Sequence, residues 1–339
     1  MAPGHIMNNK LLTKIFAAII TIVLLALLFT RVDLSDIITT LKTIDPTYLI
    51  AGFVLYTSTY LLRAWRFHTL FNREVGIKIL FPIVCVHNMM NNLLPARTGE
   101  LSYIYLLKTE QNKPTGEGLA TLVIARIFDF IIISIFFLLF SLFVKDLMPD
   151  FSILIDLGIL FLFFMIILLF GLLFYGHHIL KVFESIAQYI NFKTFHAGDY
   201  ITKKGEETIV CFEKFKTGNT GMHLSVILIS VAIWVLEYSL FYLIAISMGI
   251  HLEPVQVLFA SSFAVFSTVL PIQGIGGFGT TEAGWALGFI AVGVSKDVAI
   301  NTGFGFHLII LLYTLSLGIF GYVNIHYSRK KRRQAEAHL

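Results

Sequence analysis

The stretch "NNLLPARTGELSYIYLL", Asn91–Leu107, places Pro, Arg, Gly and Glu inside an apolar run that is otherwise long enough to cross a membrane. Proline removes a backbone donor and clashes with the preceding turn, so a helix entering from Asn91 ends near Pro95. The reading that follows is a helix built to break at membrane depth, with its ends forming a site for an anionic lipid headgroup.

The rest of the chain fits that setting. It has 339 residues, of which 57% are hydrophobic and 14% charged. Mean hydropathy is +0.81. A soluble domain carries roughly 25% charged residues, so this chain lacks the charge to clothe a water-facing surface. The 32 Phe suit lipid-facing helices. A net charge of +4 in such a chain points to cytoplasmic loops and not to nucleic acid. Cys85 and Cys211 form no motif, so neither a disulfide framework nor a metal site is expected, and no cofactor. "MAPGHIM" reads as a tag remnant over residues 1–6, with the native chain expected to begin at Met7.

Apolar runs mark spans at Leu11–Thr30, Tyr48–Leu62, Leu119–Val144, Phe151–Tyr175, Leu224–Met248 and Thr302–Tyr322. Two more runs are interrupted: Ile79–Leu107 at Pro95–Gly99, and Val255–Val294 at Pro271–Gly279. Their halves are too short to span, so each reads as a re-entrant pair of half-helices. The expected fold is an all-α polytopic membrane protein of about six transmembrane helices plus two re-entrant hairpins. With both hairpins returning to their own side, every basic loop falls on one side, including "RKKRR" at Arg329–Arg333. The positive-inside rule makes that side, and both termini, cytoplasmic in a multi-pass protein of the cell membrane.

Each half then reads span, span, hairpin, span, in opposite orientation. The single domain 7–328 is expected to hold inverted repeats over about 11–144 and 151–327, with a basic tail at 329–339. "LLPARTGE" and "VLPIQGIGGFGTTE" share Leu-Pro and Thr-x-Glu, pairing Thr98 with Thr280 and Glu100 with Glu282. The insert 177–222 has helical spacing of mixed apolar and charged residues, as amphipathic helices on the cytoplasmic surface do.

At each break, Thr98 or Thr280 is placed to cap the next helix. Helix N-termini carry partial positive charge and free N–H groups, and so attract anions. Arg97 adds a full charge and a fork suited to phosphate. "GIGGFG", Gly274–Gly279, lets backbone amides approach a ligand, with Gly packing alone as the plainer alternative. Arg126 and Asp129 lie three apart on one helix face, either paired or with Arg126 turned to the site. Glu237 is a lone carboxylate in a span, open as an ion-pair partner or a charge relay, as is Asp129. Arg63 and Arg66 near a helix end read as snorkelling to headgroups. His87, Asn88, Asn91 and Asn92 line a wet cavity or hydrogen-bond between helices. His307 reads as a satisfied buried histidine. There is no G-x-S-x-G, HExxH or Asp-rich metal motif.

"LLPARTGELSYIYLL", "IARIFDFI" and "LPIQGIGGFGTTEAG" together resemble the lysylphosphatidylglycerol synthase transmembrane-region family. The resemblance covers nearly the whole chain beyond Met7. It implies a flippase-like lipid module, found alone or fused to lipid-aminoacylating or glycosyltransferase domains. It marks Arg97, Gly99 and Glu100, Arg126 and Asp129, and Gly276, Gly277, Gly279 and Glu282. Ala125 stands where that family commonly has an acidic residue. The aminoacyl-transfer chemistry of such proteins belongs to a soluble domain, and no segment here is long enough to be one. The leading expectation is a transporter or flippase for an anionic lipid, either a phospholipid or a polyprenyl-phosphate carrier. The alternatives are a membrane-embedded enzyme on a lipid phosphate, with Glu100 or Glu282 as base, and an accessory subunit partnered with a lipid-modifying synthase or glycosyltransferase.

Overall fold

The computed structural model describes residues 44–145, 215–269 and 274–337, with scattered positions over 39–42, 153–175 and 210–213. Residues 1–6, the candidate span Leu11–Thr30, most of Phe151–Tyr175, most of the insert 177–222, and Pro271 lie outside the described residues. Among the described residues the protein is all helical, with no strand.

Eight continuous helices lie within the described residues. They are α1 (Pro46–Leu70), α2 (Ile77–Leu93), α3 (Glu100–Gln111), α4 (Thr115–Val144), α5 (Thr220–Ser247), α6 (Pro254–Val269), α7 (Thr280–Ala291) and α8 (Lys296–Ala337). Single 3-10 turns, Pro95–Arg97 and Ile275–Gly277, sit between α2 and α3 and between α6 and α7. Helices α4, α5 and α8 are long and apolar enough to cross a membrane. The α2, α3, α6 and α7 helices have 17, 12, 16 and 12 residues, all below the roughly 20 that a span needs.

Local chemistry sets the ends. Asp45 caps α1 by accepting from the Thr47 N–H at 2.8 Å, and Pro46 occupies its first position. Leu94 is extended (φ −92°, ψ 141°), as a residue before proline must be, and α2 stops there. Arg97 then turns the chain through the left-handed region at φ 55°, a strained place for an arginine. The second turn reaches the same region through Gly276, Gly277 and Gly279, where it costs little.

Helix α1 packs along α5, α2 along α8, and α6 along α7, while the two 3-10 turns touch each other. The α6–α7 contact is very close. A Cβ on Gly284 would sit 2.7 Å from the Phe263 carbonyl oxygen, and one on Gly288 would overlap the Ala260 carbonyl. These glycines, four apart on α7, let the two backbones meet, as small-xxx-small pairs do in membranes. Aromatic rings fill the remaining core: Phe137 stacks on Phe259, and Trp285 on Phe306. The outward faces are apolar (Leu142 is 68% exposed) while Arg66 and Asp129 are buried. That polarity is the reverse of a soluble protein.

Candidate functional site

A cavity of about 110 Å³ lies between the first turn and helices α1, α2 and α4 to α8. Its walls are Arg63 from α1, Asn88, Asn91 and Asn92 from α2, Arg97 from the first turn and Arg126 from α4. Trp234 and Glu237 from α5, Thr268 from α6, Thr281 from α7 and His307 from α8 add to them, with Tyr56, Phe241, Val265, Phe306 and Ile310 filling the spaces between.

Behind these walls runs an alternating chain of charges. Glu237 accepts from Arg63 Nη2 at 2.9 Å. Arg63 lies 3.9 Å from Asp129, and Asp129 lies 3.6 Å from Arg126. Glu100 Oε1 then bridges Arg126 Nε at 3.1 Å and Arg97 Nε at 3.2 Å. Arg66 branches from Asp129, donating Nη1 and Nη2 to its two oxygens at 2.6 and 3.1 Å. Trp234 Nε1 donates to the same carboxylate at 3.0 Å, and Arg66 Nη1 also donates to Ser230 at 3.0 Å. Asp129 is 0% exposed and Arg66 2%. Burial of such a pair is costly unless hydrogen bonds satisfy the ions; here the carboxylate and both terminal nitrogens of Arg66 are engaged, and only its Nε has no partner. The chain holds Arg63, Arg66, Arg97 and Arg126 against Glu100, Asp129 and Glu237, four positive charges against three negative. The Arg97 guanidinium also donates to the Thr268 carbonyl oxygen, which ties the first break to the end of α6.

The network gathers Arg97, Glu100, Arg126, Asp129 and Glu237 from the sequence-derived set. Of the two open readings of Glu237, the structure has the ion pair. Two expectations are corrected. Arg63 and Arg66 do not snorkel outward: α1 continues to Leu70, past the apolar run, and its turn faces the core. Thr98 and Thr280 do not cap. Their hydroxyls turn back to donate to the carbonyls of Pro95 and Gly277, at 2.9 and 3.0 Å. The N-cap positions are Gly99 and Gly279. Gly99 is needed for close approach, since a Cβ there would overlap the backbone of Met90 and Asn91.

At the second break, Glu282 takes over the capping role. Its Oε2 accepts from the Gly279 N–H at 2.9 Å, and its Oε1 meets His307 Nδ1 at 2.7 Å. His307 is satisfied, as read from sequence, with Nε2 at 2.8 Å from the Gly276 carbonyl. Gly277 sits against the same ring. Sequence reasoning missed Thr281, which faces the cavity where Thr280 does not, and missed Thr268 and Trp234. On the α2 side, the Asn91 Oδ1 and Asn88 Nδ2 atoms are buried without a hydrogen-bond partner. Both residues line the cavity and remain free to meet a polar ligand. Among the described residues no cluster of His, Cys, Asp and Glu is arranged to hold a metal ion.

No solved structure matches this chain. It is 28% identical to the glycosyltransferase AglD of Haloferax volcanii over 130 residues, 37% of this chain and 21% of that protein's length. The UPF0104 membrane protein MJ1595 of Methanocaldococcus jannaschii is 24% identical over 304 residues, 86% of this chain and 89% of the relative. The UPF0104 membrane protein PH1989 of Pyrococcus horikoshii is 28% identical over 318 residues, 85% of this chain and 90% of the relative. The model of the lysylphosphatidylglycerol synthase TM region matches residues 14–318, and this chain therefore belongs to that family of integral membrane proteins.

Proposed function

We propose that the protein moves an anionic lipid across the cytoplasmic membrane, with the headgroup phosphate held in the cavity between the two helix breaks. The observation that carries this reading is the cavity wall itself, where Arg63, Arg97 and Arg126 stand against one carboxylate, Glu237. One negative phosphodiester supplies the charge that the network of four guanidinium groups and three carboxylates lacks. Ionised groups at membrane depth are costly unless they serve a path or a site. The unpartnered amides of Asn88 and Asn91 offer a donor and an acceptor to the rest of the headgroup.

The same reading takes α2–α3 and α6–α7 as re-entrant hairpins of an inverted repeat, with six full spans and both termini cytoplasmic. Their matching build supports it. Each has a helix of 17 or 16 residues, a 3-10 turn, and then a helix of 12. Contact between the turns supports a substrate site at the repeat interface. Orientation is tested by Lys10→Cys, Lys204→Cys and Lys331→Cys, made one at a time in a Cys85→Ala, Cys211→Ala background. None should react with an impermeant thiol reagent on intact cells. Labelling of any one from outside overturns the six-span arrangement.

The test of function is movement of a fluorescent anionic phospholipid in proteoliposomes, together with headgroup binding. Arg97→Ala should weaken binding about tenfold to hundredfold, the effect of losing roughly 1.5–3 kcal/mol of charged hydrogen bonding. Arg97→Lys keeps the charge but not the fork, and should fall between Ala and wild type. Wild-type binding and movement by a well-folded Arg97→Ala protein would reduce the break to a packing device. The match to a portion of AglD favours a second reading, an accessory module for a lipid glycosyltransferase. That reading expects no lipid movement until a partner enzyme is added. A membrane-embedded enzyme, the third possibility, expects a new lipid product.

A further inference from the structure

The His307 ring lies between two oxygen atoms, with Nδ1 at 2.7 Å from Glu282 Oε1 and Nε2 at 2.8 Å from the Gly276 carbonyl oxygen. A carbonyl only accepts, so Nε2 carries a hydrogen and donates. In a neutral imidazole Nδ1 would then be bare, and its lone pair would point at a carboxylate lone pair. Two acceptors at that separation repel. The contact therefore requires a second proton, either on Nδ1 as an imidazolium or on Oε1 as a carboxylic acid. Glu282 Oε2 is engaged elsewhere, accepting from the Gly279 N–H. The pair is 4% and 3% exposed, with the Phe278 ring against His307 at 4.6 Å, yet His307 reaches the cavity wall.

We propose that Glu282 and His307 form a proton-binding site that couples proton movement to lipid movement; the coupling half of this proposal rests on the transport function proposed above. With its second proton the pair is formally neutral, and without it the pair carries one negative charge. The neighbouring elements define what that charge feels. Helix α6 brings no ionisable side chain, and α7 brings only Glu282 itself. Helix α2 brings His87, buried with Nδ1 unpartnered, and the first turn brings Arg97. Arg63, Arg126 and Glu237 line the far walls, and the remaining charged groups of α8 lie at its ends. With the cavity empty, the adjoining network holds Arg63, Arg66, Arg97 and Arg126 against Glu100, Asp129 and Glu237, and its one excess positive charge favours loss of the proton. A bound phosphate neutralises that excess and favours proton uptake. Anion and proton then assist each other's binding, and the assistance is reciprocal. One proton carried with one phosphodiester moves no net charge across the membrane. Loss of the proton also removes the Nδ1–Oε1 bond that joins the start of α7 to α8.

Two measurements test this. The first does not depend on transport. Nitrogen NMR of histidine-labelled protein in lipid nanodiscs, with His307 assigned by its loss in His307→Gln, should show both ring nitrogens protonated. Should the second proton sit on the carboxyl, infrared spectra should show a protonated acid band that vanishes in Glu282→Gln. A neutral His307 beside an ionised Glu282 overturns the proton site. The second measurement imposes a pH gradient on proteoliposomes and follows lipid movement and an internal pH dye together. Wild-type lipid movement should change about tenfold with the gradient, within the usual range of coupling between sites. Glu282→Gln and His307→Gln should each lose the gradient response and the dye signal. Wild-type movement that ignores the gradient overturns the coupling and leaves lipid transport standing. Absence of lipid movement under every condition overturns the transport reading, and with it the coupling, while the NMR result still decides whether the pair binds a proton.

Discussion

Asp129→Ala is expected to destabilise the fold by about 3–5 kcal/mol, the usual cost of leaving a buried charge without its partner. The substitution strips Arg66 of both carboxylate oxygens and deprives the Trp234 indole of its acceptor. Arg66 has nowhere to go: it is 2% exposed near the C-terminal end of α1, and its Nε already lacks a partner. Loss of a midpoint in a detergent thermal melt, or failure to run as a monodisperse species, reads the effect. Asp129→Asn keeps the shape and should recover some of the loss. A double variant, Asp129→Leu with Arg66→Met, should be more stable than Asp129→Ala, because apolar packing of similar volume replaces an ion pair well. An Asp129→Ala protein within about 1 kcal/mol of wild type, the scale of an ordinary substitution, would show that the charge chain is not what holds α1 against α4 and α5.

The second large effect is steric. Gly288→Ala adds a single carbon that overlaps the Ala260 carbonyl, and backbone cannot rotate away as a side chain can. Overpacking of this kind costs about 1–3 kcal/mol. The strain falls on the α6–α7 contact, so the second 3-10 turn should shift as well. The thermal midpoint should drop, and the half-buried Phe278 should become more accessible to footprinting. An Ala260→Gly change should restore little, since the obstacle is the carbonyl and not the methyl. A Gly288→Ala protein as stable as wild type would mean that α6 and α7 have room to separate.

Both features were legible to different degrees. Pro95, Pro271 and the glycines near them announce breaks, because proline and left-handed glycine act through local backbone geometry that needs no partner. The family likewise follows from short motifs in the right order. The charge chain does not, because its members are joined across 63, 105 and 174 residues. Nothing in "LLRAWRF" says which way Arg63 and Arg66 turn, and the end of the apolar run at Leu62 suggested the membrane surface. The helix instead continues for two more turns, which rotates both guanidinium groups inward. Thr98 and Thr280 looked like caps because hydroxyls often cap. Here a glycine occupies each cap position, and the hydroxyls complete the preceding turn. The signal "GWALG", Gly284–Gly288, was present in the sequence but stood in the shadow of the denser glycine run before it.

Helix α8 has 42 residues, so at about 1.5 Å per residue it measures roughly 63 Å, twice the hydrocarbon thickness of a bilayer. It carries His307 within its first half. Its far portion reaches Arg329, whose guanidinium grips Glu110 near the end of α3. Mechanically this is a lever with its fulcrum beside the second break and its handle on the far end of the first hairpin. The arm from His307 to Arg329 is about 33 Å long. A tilt of about 5° at the fulcrum sweeps the handle through about 3 Å, enough to pull a single ion pair open. A shift too small to notice at the cavity would thus arrive amplified at the end of α3, carried by one continuous helix.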